Sequence, residues 1–167
     1  MENFKQRLHK ISCFIFDVDG VLTDGTITLL PEGDVRTMNM KDGYAMKAAT
    51  DAGYRIVIIS GSKSLSGEKR LQNLGAKDIY FGVEDKEKKV NEMMAAFGLK
   101  SENVLYMGDD IPDYPAMKLC AVPTCPADAA TEIKSVAVYV SDKKGGQGCV
   151  RDVIEQVMRL HGKWFKV

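Results

Sequence analysis

The sequence predicts an α/β fold in which helices cover both faces of a parallel sheet, and three observations point to it. Short apolar segments that suit buried strands alternate with helical segments along the whole chain. No repeat or low-complexity linker interrupts this alternation. Several strand-like segments end in polar residues, which is where open α/β sheets keep their functional side chains. We therefore expect a three-layer α/β/α sandwich around a Rossmann-like parallel sheet, with residues 1–167 forming one domain.

Composition narrows the class of protein. A chain of 167 residues suits one domain with a substantial core. Its 23 basic and 23 acidic residues balance, so the bulk charge indicates neither a nucleic-acid partner nor a membrane surface. The first ten residues are polar, and no segment approaches the roughly 20 apolar residues that span a bilayer. We expect a cytoplasmic protein whose four scattered cysteines are reduced and structural.

The first strand is the most informative element. The apolar run Ile11–Phe16 predicts a strand buried on both faces, and Asp17 and Asp19 follow it directly. In an extended backbone residues i and i+2 face the same way, so the two carboxylates repel each other unless a cation or a proton lies between them. Aspartate and Gly20 are also ordinary turn residues, and a plain turn is the alternative interpretation.

The other elements follow from local patterns. A hairpin over residues 26–39 is predicted from two strand-like runs around a Pro/Gly turn, and a helix from Asp42 to Ala52 has Asp42 as its expected N-cap. The remaining predictions, in chain order, are a strand Tyr54–Ile59, a helix from about residue 64 to Leu74, a strand Asp78–Phe81, a helix carrying Val90, Met93, Met94 and Phe97, a strand Asn103–Met107, weaker strands near Cys120–Val122 and Val136–Val140, and a final helix Gln147–His161.

The polar residues at the ends of these strands form a chemically coherent set. Parallel strands place all their carboxyl ends on one edge of the sheet, which gathers Asp17, Ser60, Lys86 and Asp109. Carboxylates are the hard oxygen ligands that Mg²⁺ prefers. The Ser60 hydroxyl, the Gly61 amide and the Lys86 ammonium are donors for a phosphate. Asp17 is then the natural nucleophile for phosphorus, and Asp19 can donate a proton to the leaving oxygen and later accept one from water.

These segments resemble the four motifs of the haloacid dehalogenase superfamily, in the same order and across most of the chain. The matching segments are Asp17–Val21, Ser60–Gly61, Lys86 and Gly108–Asp113. The resemblance implies an aspartyl-phosphate mechanism with Mg²⁺ held by Asp17, the main-chain oxygen of Asp19, and Asp109. It makes Asp110 and Asp113 supporting carboxylates.

A narrower resemblance links the chain to the 3-deoxy-D-manno-octulosonate 8-phosphate (KDO 8-phosphate) phosphatases, which act in lipopolysaccharide precursor synthesis. Three segments carry it: Phe16–Gly25, Asn39–Tyr44 and Gly145–Asp152. It implies a phosphatase without a cap domain and a homotetramer in which hairpin flaps and C-terminal tails help to close neighbouring sites. The expected partner is a small sugar acid phosphate.

By match to the same pattern, a further set of residues would line the substrate pocket beside Asp19. The set comprises Asn39, Met40, Lys41, Asp42, Gly43, Lys47, Ser60, Gly61, Ser62, Arg70 and Lys86. Lys47 and Arg70 could instead be solvated charges on helix surfaces.

Both the predicted substrate and the predicted activity have an alternative interpretation. The octulosonate branch usually carries Arg after the Gly of its second motif, and a branch acting on nine-carbon ulosonate 9-phosphates carries Glu, whereas this chain has Ser62. The eight-carbon and the nine-carbon substrate therefore both remain candidates. An alternative of another class is a catalytically inactive assembly or regulatory module.

Overall fold

The computed structural model describes residues 3–63 and 67–165, and its centre is a parallel sheet of six strands. The strands, in chain order, are β1 (Cys13–Phe16), β2 (Arg55–Ile59), β3 (Asp78–Tyr80), β4 (Val104–Met107), β5 (Val122–Cys125) and β6 (Tyr139–Val140). Their order in the sheet is β3-β2-β1-β4-β5-β6, and every pair is parallel. Since β1 lies between β2 and β4, the chain reverses its direction of winding at β1, and such switch points are where open α/β sheets bind ligands.

Helices pack on both faces of this sheet. They are α1 (Phe4–Arg7), α2 (Met40–Asp51), α3 (Glu68–Asn73), α4 (Lys86–Phe97), α5 (Tyr114–Met117), α6 (Thr131–Val136) and α7 (Cys149–Leu160). Alternate residues of β1 separate two cores: Phe14 and Phe16 pack with residues of α2 and α7, while Cys13 and Ile15 pack with residues of α4, α5 and α6. The predicted three-layer α/β/α architecture is therefore confirmed.

The predicted flap is present in reduced form. Thr28 and Val35 form one antiparallel bridge, with N–H to O distances of 3.1 and 3.0 Å, instead of two full strands. The apolar side chains of Ile27, Leu29 and Leu30 are exposed and do not pack on the rest of the subunit. An isolated two-stranded hairpin gains little stability without such packing, so the strands stay short. Among the described residues between Gly20 and Lys86 we find this hairpin, two helices and two strands, but no inserted cap domain.

Several predicted boundaries move. The N-cap of α2 is Asn39 and not Asp42, because the Asn39 Oδ1 atom accepts a hydrogen bond from the backbone N–H of Lys41 at 2.8 Å. The predicted start of the next helix, near residue 64, lies outside the described residues. The predicted strand near Cys120 is displaced to Val122–Cys125. Propensity alone does not place such boundaries, since capping and strand pairing decide them.

The last helix confirms its prediction closely, with Val150, Val153, Ile154, Val157 and Met158 buried on one stripe. Beyond it, Trp164 is only 7% exposed and its ring makes an edge contact with Tyr44. Residues 166 and 167 of the expected tail lie outside the described residues. No described helix has the length and apolar character needed to cross a bilayer.

Candidate active site

The carboxyl ends of the central strands enclose a cavity of about 350 Å³. Its lining consists of Asp17, Asp19, Gly25, Ser60, Gly61, Ser62, Val83, Lys86, Asp109, Asp110, Pro112 and Asp113. The sheet thus brings together every residue that the sequence analysis placed at the strand ends, although these residues are tens of positions apart in the chain.

The backbone after β1 is shaped so that two acidic residues enter this cavity. The Asp17 N–H donates to the carbonyl of Met107 at 3.1 Å, which continues the pairing of β1 with β4 beyond the last strand residue. The chain then turns at Gly20, whose φ is +89°. A Cβ atom on Gly20 would overlap the carboxylate of Asp109. Glycine at this position is therefore required both by the turn and by the approach of Asp109.

Lys86 lies in the first turn of α4 and is held by two carboxylates. Asp85 caps this helix, accepting from the Lys88 N–H at 2.9 Å, and so fixes where Lys86 enters the cavity. The Lys86 ammonium lies 2.9 Å from Asp17 Oδ1 and 2.7 Å from Asp113 Oδ1. Burial alone would lower the pKa of Lys86, but the charges of Asp113 and Asp17 outweigh it and raise that pKa. Lys86 is therefore a fixed positive charge in the cavity.

Asp113 organises the floor of the cavity. Its Oδ1 accepts from Lys86 and, at 2.6 Å, from the hydroxyl of the fully buried Tyr106, while its Oδ2 accepts from the Asp109 N–H at 3.2 Å. A Cβ on Gly108 would overlap this side chain. Sequence analysis missed the role of Tyr106, although a hydroxyl inside a buried apolar strand is a signal that a polar partner lies nearby.

The same floor has the donor set of a cation site. Carboxylate oxygens of Asp17, Asp109 and Asp113 lie within 4.8 Å of one another. Among the side chains described, Asp109 Oδ1 is buried and has no hydrogen-bond partner. A buried carboxylate oxygen without a partner is costly unless a proton or a cation neutralises it. These hard oxygen atoms therefore fit a divalent ion such as Mg²⁺.

Electrostatics support this interpretation of the floor. Burial, together with the charge of Asp113, raises the pKa of Asp17 to about 7 despite the opposing effect of Lys86. Burial and the charges of Asp17 and Asp113 raise the pKa of Asp109 to about 8. Both pKa values are raised mainly because the carboxyl groups are buried, and the neighbouring carboxylates add to the effect while Lys86 opposes it. Asp110 is peripheral by comparison, since its Oδ1 accepts from the Ile111 N–H at 2.8 Å.

The donors predicted for a phosphate also lie at the cavity. Ser60 is buried directly after β2, and its Oγ accepts from the Ser62 N–H at 3.1 Å. Gly61 and Ser62 follow it in the wall of the cavity. Together with the Lys86 ammonium, these groups form one side of a pocket suited to an anion.

Asp19 is held by two groups, one of which the sequence analysis did not identify. Its Oδ1 accepts from Arg36 Nε at 2.6 Å, and its Oδ2 accepts from Ser62 Oγ at 2.8 Å. Arg36 follows the last bridged residue of the hairpin, Val35. No pattern in the sequence distinguishes Arg36 from other flap residues, because the contact depends on how the hairpin folds over the sheet.

Asp42, predicted to line the substrate pocket, has a structural position instead. It is fully buried, and its two carboxylate oxygens accept from the backbone N–H groups of Gly148, at 3.2 Å, and Arg151, at 2.7 Å. Burial raises the pKa of Asp42, and these backbone bonds oppose the shift. Asp42 therefore joins α2 to the start of α7, and its oxygens are used by the fold. This is a correction to the predicted pocket.

The other residues predicted for the sugar acid lie at the start of α2 or on its surface, except Arg70, which lies on α3. Asn39 caps the helix and its Nδ2 donates to the Gly146 carbonyl at 3.3 Å. Arg70 donates to the sulfur of the exposed Met40 at 3.7 Å. A Cβ atom at Gly43 would lie 3.5 Å from the Arg70 guanidinium. Lys47 pairs with Asp51 one turn along α2. Lys41 is exposed in the first turn of α2.

Comparison with known proteins agrees with this geometry. Residues 77–154 match the family model of the haloacid dehalogenase-like hydrolases. The chain is 32% identical over 160 residues to the 3-deoxy-D-manno-octulosonate 8-phosphate phosphatase KdsC of Haemophilus influenzae, covering 95% of this chain and 89% of that protein.

Solved structures extend the likeness to the fold. The Yersinia pestis 3-deoxy-D-manno-octulosonate 8-phosphate phosphatase is 33% identical, with a TM-score of 0.92 over 96% of this chain and 87% of that one. The Moraxella catarrhalis enzyme, solved with magnesium, phosphate and KDO, is 29% identical with a TM-score of 0.90 over 94% and 91% of the two chains. The chain therefore belongs to the KdsC-type phosphatase family, within the haloacid dehalogenase-like hydrolases.

Proposed function

We propose that this chain is a magnesium-dependent phosphatase that hydrolyses 3-deoxy-D-manno-octulosonate 8-phosphate to 3-deoxy-D-manno-octulosonate and phosphate. The observation that carries the proposal is the cavity floor, where the Asp17 carboxylate lies 2.9 Å from the buried Lys86 ammonium and next to the unpartnered oxygen of Asp109. This cavity suits phosphoryl transfer because it holds a nucleophile, Asp17, a positive charge for the phosphate, Lys86, and carboxylates that can bind a metal ion.

Asp17 acts first as the nucleophile. Its carboxylate forms a bond to phosphorus while the bond between phosphorus and the ester oxygen breaks, which leaves an aspartyl phosphate on Asp17. Asp19 donates a proton to the departing alkoxide, and the sugar acid leaves as an alcohol. Lys86, Ser60 and the Gly61 amide bind the phosphoryl oxygens, so their negative charge does not repel the attacking carboxylate.

Water completes the reaction. Asp19, now ionised, accepts a proton from a water molecule that attacks phosphorus, and the bond to Asp17 breaks to release phosphate. Asp17, Asp109 and the main-chain oxygen of Asp19 would hold Mg²⁺, which supplies further neutralisation of the phosphoryl charge when bound. Asp113 would be a supporting carboxylate of this site, since its oxygens also accept hydrogen bonds from Lys86, Tyr106 and the Asp109 N–H.

The relatives support an eight-carbon sugar acid as the substrate, since the curated matches are KDO 8-phosphate phosphatases. Ser62 carries neither of the side chains that mark the eight-carbon and nine-carbon branches in the pattern described above. A panel of phosphate esters with Mg²⁺ tests the choice. We expect the highest kcat/KM for KDO 8-phosphate; a preference for a nine-carbon ulosonate 9-phosphate would reassign the substrate, and no hydrolysis of any ester would favour an inactive module.

The same proposal covers the compartment, the pathway and the oligomeric state of the enzyme. We place it in the cytoplasm, in lipopolysaccharide precursor synthesis, as one domain that assembles into a homotetramer with neighbouring subunits closing each site. The exposed apolar side chains of the hairpin, Ile27, Leu29 and Leu30, support an assembly that would cover them. Light scattering behind a sizing column tests the assembly, and a monomeric mass at micromolar concentration would refute it.

A further inference from the structure

Arg36 occupies an unusual position for a residue of the flap. The hairpin residues before it, from Asp24 to Val35, are exposed, whereas the Arg36 side chain is only 8% exposed. Its guanidinium contacts two residues of the cavity wall, with Nε 2.6 Å from Asp19 Oδ1 and Nη2 3.3 Å from Ser62 Oγ. These two contacts order the long side chain of Arg36, which costs side-chain entropy. A charge that only needed solvation could stay mobile in water and avoid that cost.

The contacts form a closed triangle of three side chains. Arg36 donates to Asp19 and to Ser62, and Ser62 Oγ donates to the second Asp19 oxygen at 2.8 Å. The planar fork of an arginine can satisfy two acceptors at a fixed angle, which a lysine ammonium does less specifically. The orientation of the Asp19 carboxylate is therefore set from both of its oxygens.

This orientation leaves Asp19 able to react. A carboxylate has about four acceptor positions, and the two hydrogen bonds use one position on each oxygen. The side chain of Asp19 is 29% exposed and lies in the wall of the cavity, so the remaining positions are accessible from it. Without Arg36, only the Ser62 hydroxyl would hold the Asp19 carboxylate, whose terminal torsion is intrinsically broad, so the carboxylate would sample more orientations.

We propose that Arg36 is a positioning residue for the acid step: the flap delivers its guanidinium to orient the Asp19 carboxylate, together with Ser62, toward the ester oxygen of the substrate. The inference rests on the proposed phosphatase function and assigns the flap a role within its own subunit. The bridge between Thr28 and Val35 sets the hairpin register and hence the position of Arg36, so the acid is oriented only when the flap is folded in place.

The test compares two substrates whose leaving groups differ in how much they need a proton from Asp19. An alkyl phosphate expels a poor leaving group and requires a proton from Asp19, whereas 4-nitrophenyl phosphate expels a stable phenolate and requires little. For Arg36→Met we expect kcat/KM for KDO 8-phosphate to fall on the order of 10- to 10²-fold, the scale of a misplaced catalytic group. The value for 4-nitrophenyl phosphate should change less than about threefold if the loss is confined to proton donation.

Three controls make the result specific. Arg36→Lys keeps the charge and should recover part of the lost rate, and it serves as the second variant should Arg36→Met fold poorly. Arg159→Met removes an exposed arginine at the end of α7 and should match the wild type with both esters. In an Asp19→Asn background, Arg36→Met should cause no further loss, because two residues that act as a unit are not additive.

Two outcomes would overturn the proposal. Equal losses with the alkyl and the aryl ester would assign Arg36 to substrate binding or to structure, and so would a full additional loss in the Asp19→Asn background. Failure of the proposed function is distinguishable, because it would appear in the wild type as absence of KDO 8-phosphate hydrolysis. The comparison would then be made with whichever alkyl phosphate the wild type hydrolyses fastest.

Discussion

Two regions meet at the cavity and are built in opposite ways. The catalytic floor, which we define as Asp17, Lys86, Asp109 and Asp113, is held by hydrogen bonds and ion pairs between residues at the ends of strands and helices. The flap, residues 26–39, is exposed along most of its length and has a backbone bridge between Thr28 and Val35 and a buried anchor, Arg36. Within the floor, Lys86 contacts two carboxylates and Asp113 accepts three hydrogen bonds, whereas the flap is held by few contacts.

This difference separates two tasks of the protein. The floor concentrates charge of both signs, so changes in it should affect stability as well as chemistry. In the proposed mechanism the flap orients Asp19 through Arg36, so changes at Arg36 should affect rates with little effect on the folded state. The following experiments test that division.

The largest effect is expected at the nucleophile. Asp17→Asn replaces the attacking carboxylate by an amide of the same shape, and we expect kcat to fall on the order of 10⁴-fold or more. The fold should survive because Lys86 keeps its bond to Asp113. Turnover of KDO 8-phosphate measures the loss, with Asp142→Asn, an exposed carboxylate, as the control. Activity near that of the wild type would contradict Asp17 as nucleophile.

The next effect concerns the charge balance of the floor. Lys86→Met leaves the buried carboxylates of Asp17 and Asp113 without their cation, and losing one partner of a buried pair costs about 3–5 kcal/mol. Urea denaturation measures this change in the free energy of unfolding. Lys89→Met, on the same helix and paired with Glu92 near the surface, should cost under about 1 kcal/mol. Similar costs for the two variants would remove the distinction between floor and surface.

Magnesium and pH should act together on the floor. The pKa values of Asp17, about 7, and Asp109, about 8, exceed the values near 4 of an unfolded chain, so the folded protein binds more protons in that interval. Without a divalent ion, the stabilisation by these protons is complete below about pH 4, falls by up to ~1.4 kcal/mol per pH unit and carboxyl group as the pH rises, and is fully lost above about pH 8.

Melting temperatures in chelator and in saturating Mg²⁺ measure this coupling. Because the cation replaces the protons, we expect the stabilisation by Mg²⁺ to be larger at pH 8.5 than at pH 6. Asp109→Asn should weaken both the pH dependence and the response to Mg²⁺. A stabilisation by Mg²⁺ that does not vary with pH would mean that the ion binds elsewhere.

The smallest effect is expected at the tip of the flap. Leu29 is 78% exposed in the single subunit, so at protein concentrations at which the proposed tetramer is dissociated Leu29→Ser should change the free energy of unfolding by within about 0.5 kcal/mol. Leu22→Ser makes the same chemical change at a fully buried position after β1 and should cost at least about 2 kcal/mol. A large loss for Leu29→Ser that depends on protein concentration would show that a neighbouring subunit covers the flap.

Much of the fold and of the floor could be predicted because local signals were strong. Apolar runs and the i, i+3, i+4, i+7 spacing identified the central strands and the last helix, and the rule that parallel strands share one carboxyl edge brought Asp17, Ser60, Lys86 and Asp109 together. Asp42 was misplaced, because its pocket role came from a motif match while its partners, Gly148 and Arg151, lie over 100 positions away.

The sequence by itself predicted the parallel sheet and the positions of Asp17, Asp19 and Lys86 at its carboxyl edge, since each lies next to an element with a clear period. Only the tertiary structure decided that Tyr106 and Asp113 hold Lys86, that Asp42 joins two helices, and that Arg36 reaches Asp19. The physical reason is that these contacts join side chains from segments that are distant in the chain and are brought together only by packing. The local sequence around each residue does not indicate which distant side chain it will contact.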